Sequence, residues 1–127
     1  MTSLFPDICT DDLARSRDFY RDLLGFEVSF ENAWYVQLQH PKQPAAQIAF
    51  VLRDHDSVPR AFQARAQGVL VTVELADVDA CHAQARALGL ELAYDLVSEV
   101  WGQRHFMVSD PNGLLVDVVQ LIPTAGS

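Results

Sequence analysis

The chain has 127 residues, half of them hydrophobic and a fifth charged, which suits one domain with a buried core. Nine basic against seventeen acidic side chains give a net charge of −8; this argues against nucleic acid as a partner, because affinity for phosphates rests on Lys and Arg, and it favours a cationic ligand. No apolar run is long enough to cross a bilayer, the first residues carry no signal-peptide pattern, and the only two cysteines, Cys9 and Cys81, suit free thiols in a reducing, cytoplasmic compartment.

The first strand-like segment is 4–10. A helix follows from Asp12, with Leu13, Ser16, Tyr20 and Leu23 on one face and Phe19 and Leu24 widening it. Asp11 and Asp12 suit its amino end, and Gly25 suits a left-handed stop. Strands are expected at 26–31, 33–39 and 47–52. Phe26, Val28 and Phe30 alternate with Glu27, Ser29 and Glu31, and Trp34, Val36 and Leu38 alternate with Tyr35, Gln37 and Gln39. A linker, 53–68, contains Pro59, which suits the start of a short helix reaching about Gln67.

The pattern then repeats. A strand at 69–75 precedes a second helix, where Asp77 stands 65 residues after Asp12. Val78, Cys81, Ala85 and Leu88 repeat the spacing of the first helical face, and Gly89 ends it. Strands are expected at 90–97, 103–109 and 114–121, with Leu90, Leu92, Tyr94 and Leu96 on one face of the first of these. Asp110-Pro111-Asn112-Gly113 reads as a hairpin turn in which Asn-Gly can take positive φ. The chain is thus expected to be a single domain, 1–127, with module one at about 4–52 and module two at 69–122.

Asp12-Leu13, Ser16, Phe19-Tyr20 and Leu24-Gly25-Phe26 resemble the first-module signature of the vicinal-oxygen-chelate superfamily, which holds glyoxalases, dioxygenases and bleomycin-resistance proteins. Asp110 to Gly113 with the strand after it resembles the carboxy-terminal signature, so the resemblance runs over about 4–122. It implies an α+β fold of two β-α-β-β-β modules, their curved mixed sheets around a concave pocket and their helices outside. It also implies pairing of modules within one chain or across a homodimer.

Metal-dependent members of that family carry ligands on the first and last strands of the two modules, usually His or Gln and Glu, with His common on the first strands. Here those positions hold Phe5 and Leu70, which have no lone pair to offer, beside Gln47 and Asp117. No metal and no other cofactor is therefore expected. His40 stands beside Pro41, His55 lies in the linker and His82 falls towards the solvated side of its helix, which leaves His105 as the histidine able to face the interior.

Strand alternation turns Asp7 and Cys9, Thr72 and Glu74, Gln47, Ala49 and Val51, and Leu115, Asp117 and Val119 inward. Three of these are carboxylates. They are either solvated at strand ends, as suits Glu74, paired with Arg104, or kept for a ligand, as suits Asp117. Trp34, in the third strand, is either a core residue or a ligand-stacking ring, and Trp101 stands in a loop. The expected function is metal-free binding of a flat, cationic small molecule in the inter-module cleft, in the manner of bleomycin-resistance proteins. Its contacts would be Asp7, Trp34, Gln47, Glu74, Trp101, His105 and Asp117. The alternative is a glyoxalase-like lyase or dioxygenase using a divalent metal, or a metal-free catalyst with an acidic general base.

Overall fold

Asp12 and Asp77 open the two helices by the same chemistry. Each carboxylate accepts a hydrogen bond from a backbone N–H three residues on, Asp12 from Arg15 and Asp77 from Ala80, both at 3.0 Å. The computed structural model describes residues 2–124. The chain forms two compact units, Met1–Ala66 and Gln67–Ser127.

The first unit runs β1 (Asp7–Thr10), α1 (Leu13–Leu24), β2 (Glu27–Glu31), β3 (Tyr35–His40) and β4 (Gln43–Leu52), followed by one 3₁₀ turn at Arg60–Phe62. The second runs β5 (Leu70–Glu74), α2 (Val78–Ala87), β6 (Leu92–Glu99), β7 (Gln103–Ser109) and β8 (Leu115–Leu121). The sheets have strand orders β1-β4-β3-β2 and β5-β8-β7-β6. In each, the first pair is parallel and the others antiparallel. A parallel pair needs a crossover, and the helix that follows β1 or β5 begins it. The internal repeat is therefore two β-α-β-β-β modules in an α+β fold.

Each helix covers one face of its own sheet. In module one, Ser16, Tyr20, Leu23 and Leu24 are buried, as are Ile8, Val36, Leu38, Ile48 and Phe50 from the sheet. The Tyr20 ring meets Phe50 at 5.4 Å and Phe26 edge-on at 6.3 Å. The buried polar pair Thr10 and Ser16 is satisfied internally: their hydroxyls lie 3.0 Å apart and Ser16 donates to Asp12 O. In module two, Val78, Cys81 and Ala85 cover Phe106, Val108, Val116 and Val118. Leu88, expected on the same face, stays 41% exposed at the C-cap of α2.

Several expectations shift by a few residues. β1 starts at Asp7, and Leu4 is exposed. β4 begins earlier than expected, at Gln43, because His40 ends β3 and the hairpin turns on Pro41 and Lys42. The linker helix shrinks to one turn. β6 starts at Leu92 and carries register shifts between Leu92 and Tyr94 and between Tyr94 and Val97, so Leu90, Leu92, Tyr94 and Leu96 do not share a face.

A further bulge, between Val28 and Phe30 in β2, matters more. Val28 stands opposite Leu38, on the side covered by α1. The extra residue then sets Phe30 opposite Gln37, on the other side of the sheet. Simple alternation puts Val28 and Phe30 together; the bulge separates them.

The turn before β8 is built by Asp110. Its Oδ1 accepts from the backbone N–H groups of Asn112 and Leu114, each at 2.9 Å, and its carbonyl accepts from Gly113 N–H at 3.0 Å. Of the Asn-Gly pair only Gly113 takes positive φ, at 81°. Asp110 and Leu114 are both buried, so Asp110→Ala leaves a buried N–H without its acceptor. It is expected to lower unfolding free energy by about 2 kcal/mol in urea denaturation followed by circular dichroism.

Candidate functional site

In module one the sheet face away from α1 carries Asp7 on β1, Val51 on β4, Tyr35 on β3 and, because of the bulge, Phe30 on β2. With Asn32, Trp34, Ser57 and Val58 these residues line a hollow of about 450 Å³. Its walls are three aromatic rings and two valines, and Asp7 is its one ionisable acid.

Trp34 lies just ahead of β3, not within it, so the alternation that would have carried it under the helix with Val36 and Leu38 does not reach it. Its N–H donates to Asn32 Oδ1 and its carbonyl accepts from Leu52 N–H, both at 2.9 Å. The ring is half-buried and stacks on His55, with centroids 3.8 Å apart and planes 6° apart. His55 is itself fixed: Ser57 N–H donates to its Nδ1 at 3.1 Å, and the Ser57 hydroxyl lies 2.8 Å from the same atom. The linker histidine His55 is therefore the backing of Trp34.

Asp7, exposed at the start of β1, makes no side-chain hydrogen bond or ion pair among the described residues, and the partial cover of its neighbours raises its pKa above the usual carboxylate range. The Tyr35 hydroxyl is likewise raised, by burial first and by the nearby Asp7 charge second. That hydroxyl donates to Gln37 Oε1 at 2.8 Å, and Gln37 Nε2 donates to Gln47 Oε1 at 2.7 Å. Gln47 thus connects to the hollow through two hydrogen bonds.

In module two the corresponding face holds a buried ion cluster. His105, 3% exposed, places Nδ1 2.7 Å from Asp117 Oδ1 and Nε2 3.1 Å from Glu99 Oε2. Ionised carboxylates only accept, so both contacts are hydrogen bonds together when the ring is an imidazolium. Burial disfavours that charge, but the bonds to Asp117 and Glu99 outweigh it and the His105 pKa is raised. Tyr94 adds a hydroxyl donor to Glu99 Oε2 at 3.3 Å. Arg104, one of the alternatives open for the carboxylates, reaches to Asp79 on α2, at 2.8 and 3.2 Å, and to Ser98. His82 is also better covered than expected: its Nε2 lies 3.2 Å from Asp95, and its ring meets Phe106 edge-on.

The remaining candidates stand apart from this cluster. Glu74 is exposed at the end of β5, beside a shallow hollow with Leu75, Ala76, Gln120 and Leu121. Trp101, 60% exposed, is in the turn between β6 and β7, and its indole N–H donates to Gln103 Oε1 at 2.9 Å. Of the seven candidates, Asp7 and Trp34 share the hollow of module one, Gln47 is linked to it, and His105 and Asp117 bond each other in module two. Phe30, Tyr35 and His55 were not foreseen. The bulge that aims Phe30 has no clear sequence signature, whereas Tyr35 alternates in phase with Gln37 and was readable.

Register also refines the comparison of the modules. Asp7 pairs with Ala49, and Thr72, its counterpart 65 residues on, pairs with Asp117. Asp117 therefore matches Ala49, not Gln47. Each module has a carboxylate at this level of its sheet, on β1 in the first and β8 in the second. The first is without a partner among the described residues and the second is locked to a histidine.

These side chains do not fit a metal ion. Phe5 and Leu70 offer no donor atom, Gln47 Oε1 is engaged by Gln37, and Asp117 Oδ1 by His105. The two nitrogens of His105 point to opposite sides of its ring, so Glu99 and Asp117 do not converge on one point with it. Among the described residues no group of three or more His, Cys, Asp or Glu is placed to hold a metal. Nor is any helix long and apolar enough to span a membrane.

Residues 4–118 match the family model described as the glyoxalase/bleomycin resistance protein/dioxygenase superfamily. Among solved structures, a protein of unknown function from Agrobacterium tumefaciens is 28% identical, with a TM-score of 0.72 over 96% of this chain and 95% of that one. A glyoxalase/bleomycin resistance protein/dioxygenase from Nocardioides is 23% identical, with a TM-score of 0.72 over 100% of this chain and 89% of that one. A bleomycin resistance determinant encoded on the transposon Tn5 is 20% identical, with a TM-score of 0.69 over 95% and 98%. No match is found among the curated proteins.

Proposed function

Because the chain belongs to the glyoxalase/bleomycin resistance protein/dioxygenase superfamily, we propose that it is a binding protein of that superfamily which holds a flat cationic small molecule without a metal ion. The observation that carries this reading is the hollow of module one, where a single carboxylate without a partner among the described residues stands among Phe30, Trp34 and Tyr35. Aromatic faces attract cations through the ring quadrupole and supply apolar area to a planar ligand. A carboxylate without a protein partner among the described residues adds the charge that such a ligand neutralises. The net charge of −8 works in the same direction by concentrating cations near the surface. The likeness in fold to a bleomycin resistance determinant is consistent with sequestration as the role.

The sheet face of module two contributes differently. Both nitrogens of His105 are occupied by carboxylates, so that ring is not free to take a proton from a substrate. We read this cluster as holding the sheet together, with Asp117 its buried acid.

The test is a fluorescence titration in which Trp101→Phe leaves Trp34 as the one indole. Planar cations such as acridinium and phenanthridinium dyes are expected to quench or shift the Trp34 emission saturably, and matched neutral ring compounds are not. A broad panel of planar cations that leaves Trp34 emission unchanged would remove the reading.

A further inference from the structure

Resting on the cation-binding reading above, we propose that the occupant of the hollow is a singly charged planar cation whose charge is carried on N–H groups, of the amidinium or protonated amino-heterocycle class, and that quaternary ammonium compounds are discriminated against. Four features of the hollow lead there.

The first is the hydrogen-bonding state of its lining. Asn32 Oδ1 accepts from Trp34 N–H, the Ser57 hydroxyl lies on His55 Nδ1, and the Tyr35 hydroxyl donates to Gln37. No neighbour among the described residues donates to Asp7, whose exposed oxygens are open to solvent water. The second is what a ligand must replace. A planar molecule lying in the hollow displaces that water. A quaternary ammonium offsets the charge but offers no donor, so where it covers the exposed Asp7 it takes away hydrogen bonds from solvent and returns none. An amidinium presents two N–H groups side by side, which match two carboxylate oxygens as a guanidinium does.

The third feature is charge count. Asp7 is the one carboxylate of the lining; Asp11, just past the other end of β1, lies outside it and is paired with Arg53 and Arg65, at 2.9 Å each. One positive charge is balanced; a second is not. The fourth is shape. One face of Trp34 is closed by the His55 ring, in nearly parallel contact, so the indole offers a flat guest its remaining face and edge. His55 also demonstrates that this indole accepts a flat nitrogen ring face to face.

Benzamidinium and phenyltrimethylammonium make the decisive pair, since each is one ring with one charge. Isothermal titration calorimetry on the full chain is expected to show benzamidinium binding about tenfold or more tightly. In Asp7→Asn the difference is expected to collapse to near equality. Equal affinity for the two salts, or tighter binding of the quaternary salt, overturns the donor requirement while leaving the cation reading intact. A preference that survives in Asp7→Asn also overturns it, because the donors are then satisfied elsewhere. Failure of both salts, and of larger planar cations, removes the cation reading together with this one.

Discussion

Asp117→Ala is expected to lower the unfolding free energy by about 3 kcal/mol, the usual cost of removing one partner of a buried ion pair. Asp117 is 8% exposed and its partner His105 3%, so the imidazole is left with charge that only Glu99 offsets. The pH dependence carries the signature. The His105 pKa is raised: burial opposes the charge, but the bonds to Asp117 and Glu99 outweigh it. A raised histidine stabilises the fold fully below its unfolded value of about 6.5, and this contribution is lost as pH rises through the folded pKa. Urea midpoints of the unchanged chain are therefore expected to fall from near neutrality upward. In Asp117→Ala that slope should be shallower, because one of the two carboxylates that hold the proton is gone. A variant as stable as the parent, with the same slope, would show that the cluster contributes nothing.

Much of this architecture was legible because it depends on local signals. The helices announce themselves through Asp12 and Asp77 at one end and glycines at the other, and burial of Tyr20 and Leu23 follows from spacing alone. Strand alternation set Val36 and Leu38 on one side of β3, and both are buried. The site was harder to read, for two physical reasons. Bulges in β2 and β6 change which face a residue occupies without leaving a pattern, which is why alternation misses Phe30 and puts Tyr94 on the wrong face. Contacts between residues distant in sequence, such as Trp34 on His55 or His105 on Asp117, arise from packing that no window of residues contains. Asp117, expected to serve a ligand, has instead an internal partner, and the carboxylate left without a partner among the described residues is Asp7.

Asp7→Asn is expected to weaken binding of planar cations by roughly 10- to 100-fold, the loss of one charge-assisted hydrogen bond together with the charge itself. Its effect on stability should run the opposite way. The folded-state pKa of Asp7 is raised by burial, so above that pKa the ionised acid is a cost the unfolded chain does not bear. The amide removes the cost. Midpoints in urea at pH 7 are expected to be unchanged or higher than in the parent, and the advantage should shrink as pH falls through the raised pKa and the parent acid becomes protonated. Binding lost while stability is kept would mark a residue held for a ligand. Binding and stability lost together would mark a structural one. Calorimetric titration beside urea denaturation, at pH 7 and again near pH 4, distinguishes the two.

The two thiols differ in a way that can be put to use. Cys81 is on the buried face of α2, and burial pushes its pKa up to about 11, so very little thiolate forms there near neutrality. Cys9 is half-exposed and pairs in register with Val51, a wall of the hollow. A maleimide dye applied to the native chain is thereby directed to one position, two residues along β1 from Asp7. The sequence thus supplies its own attachment point for an environment-sensitive reporter of occupancy, with no cysteine to be introduced and none to be removed.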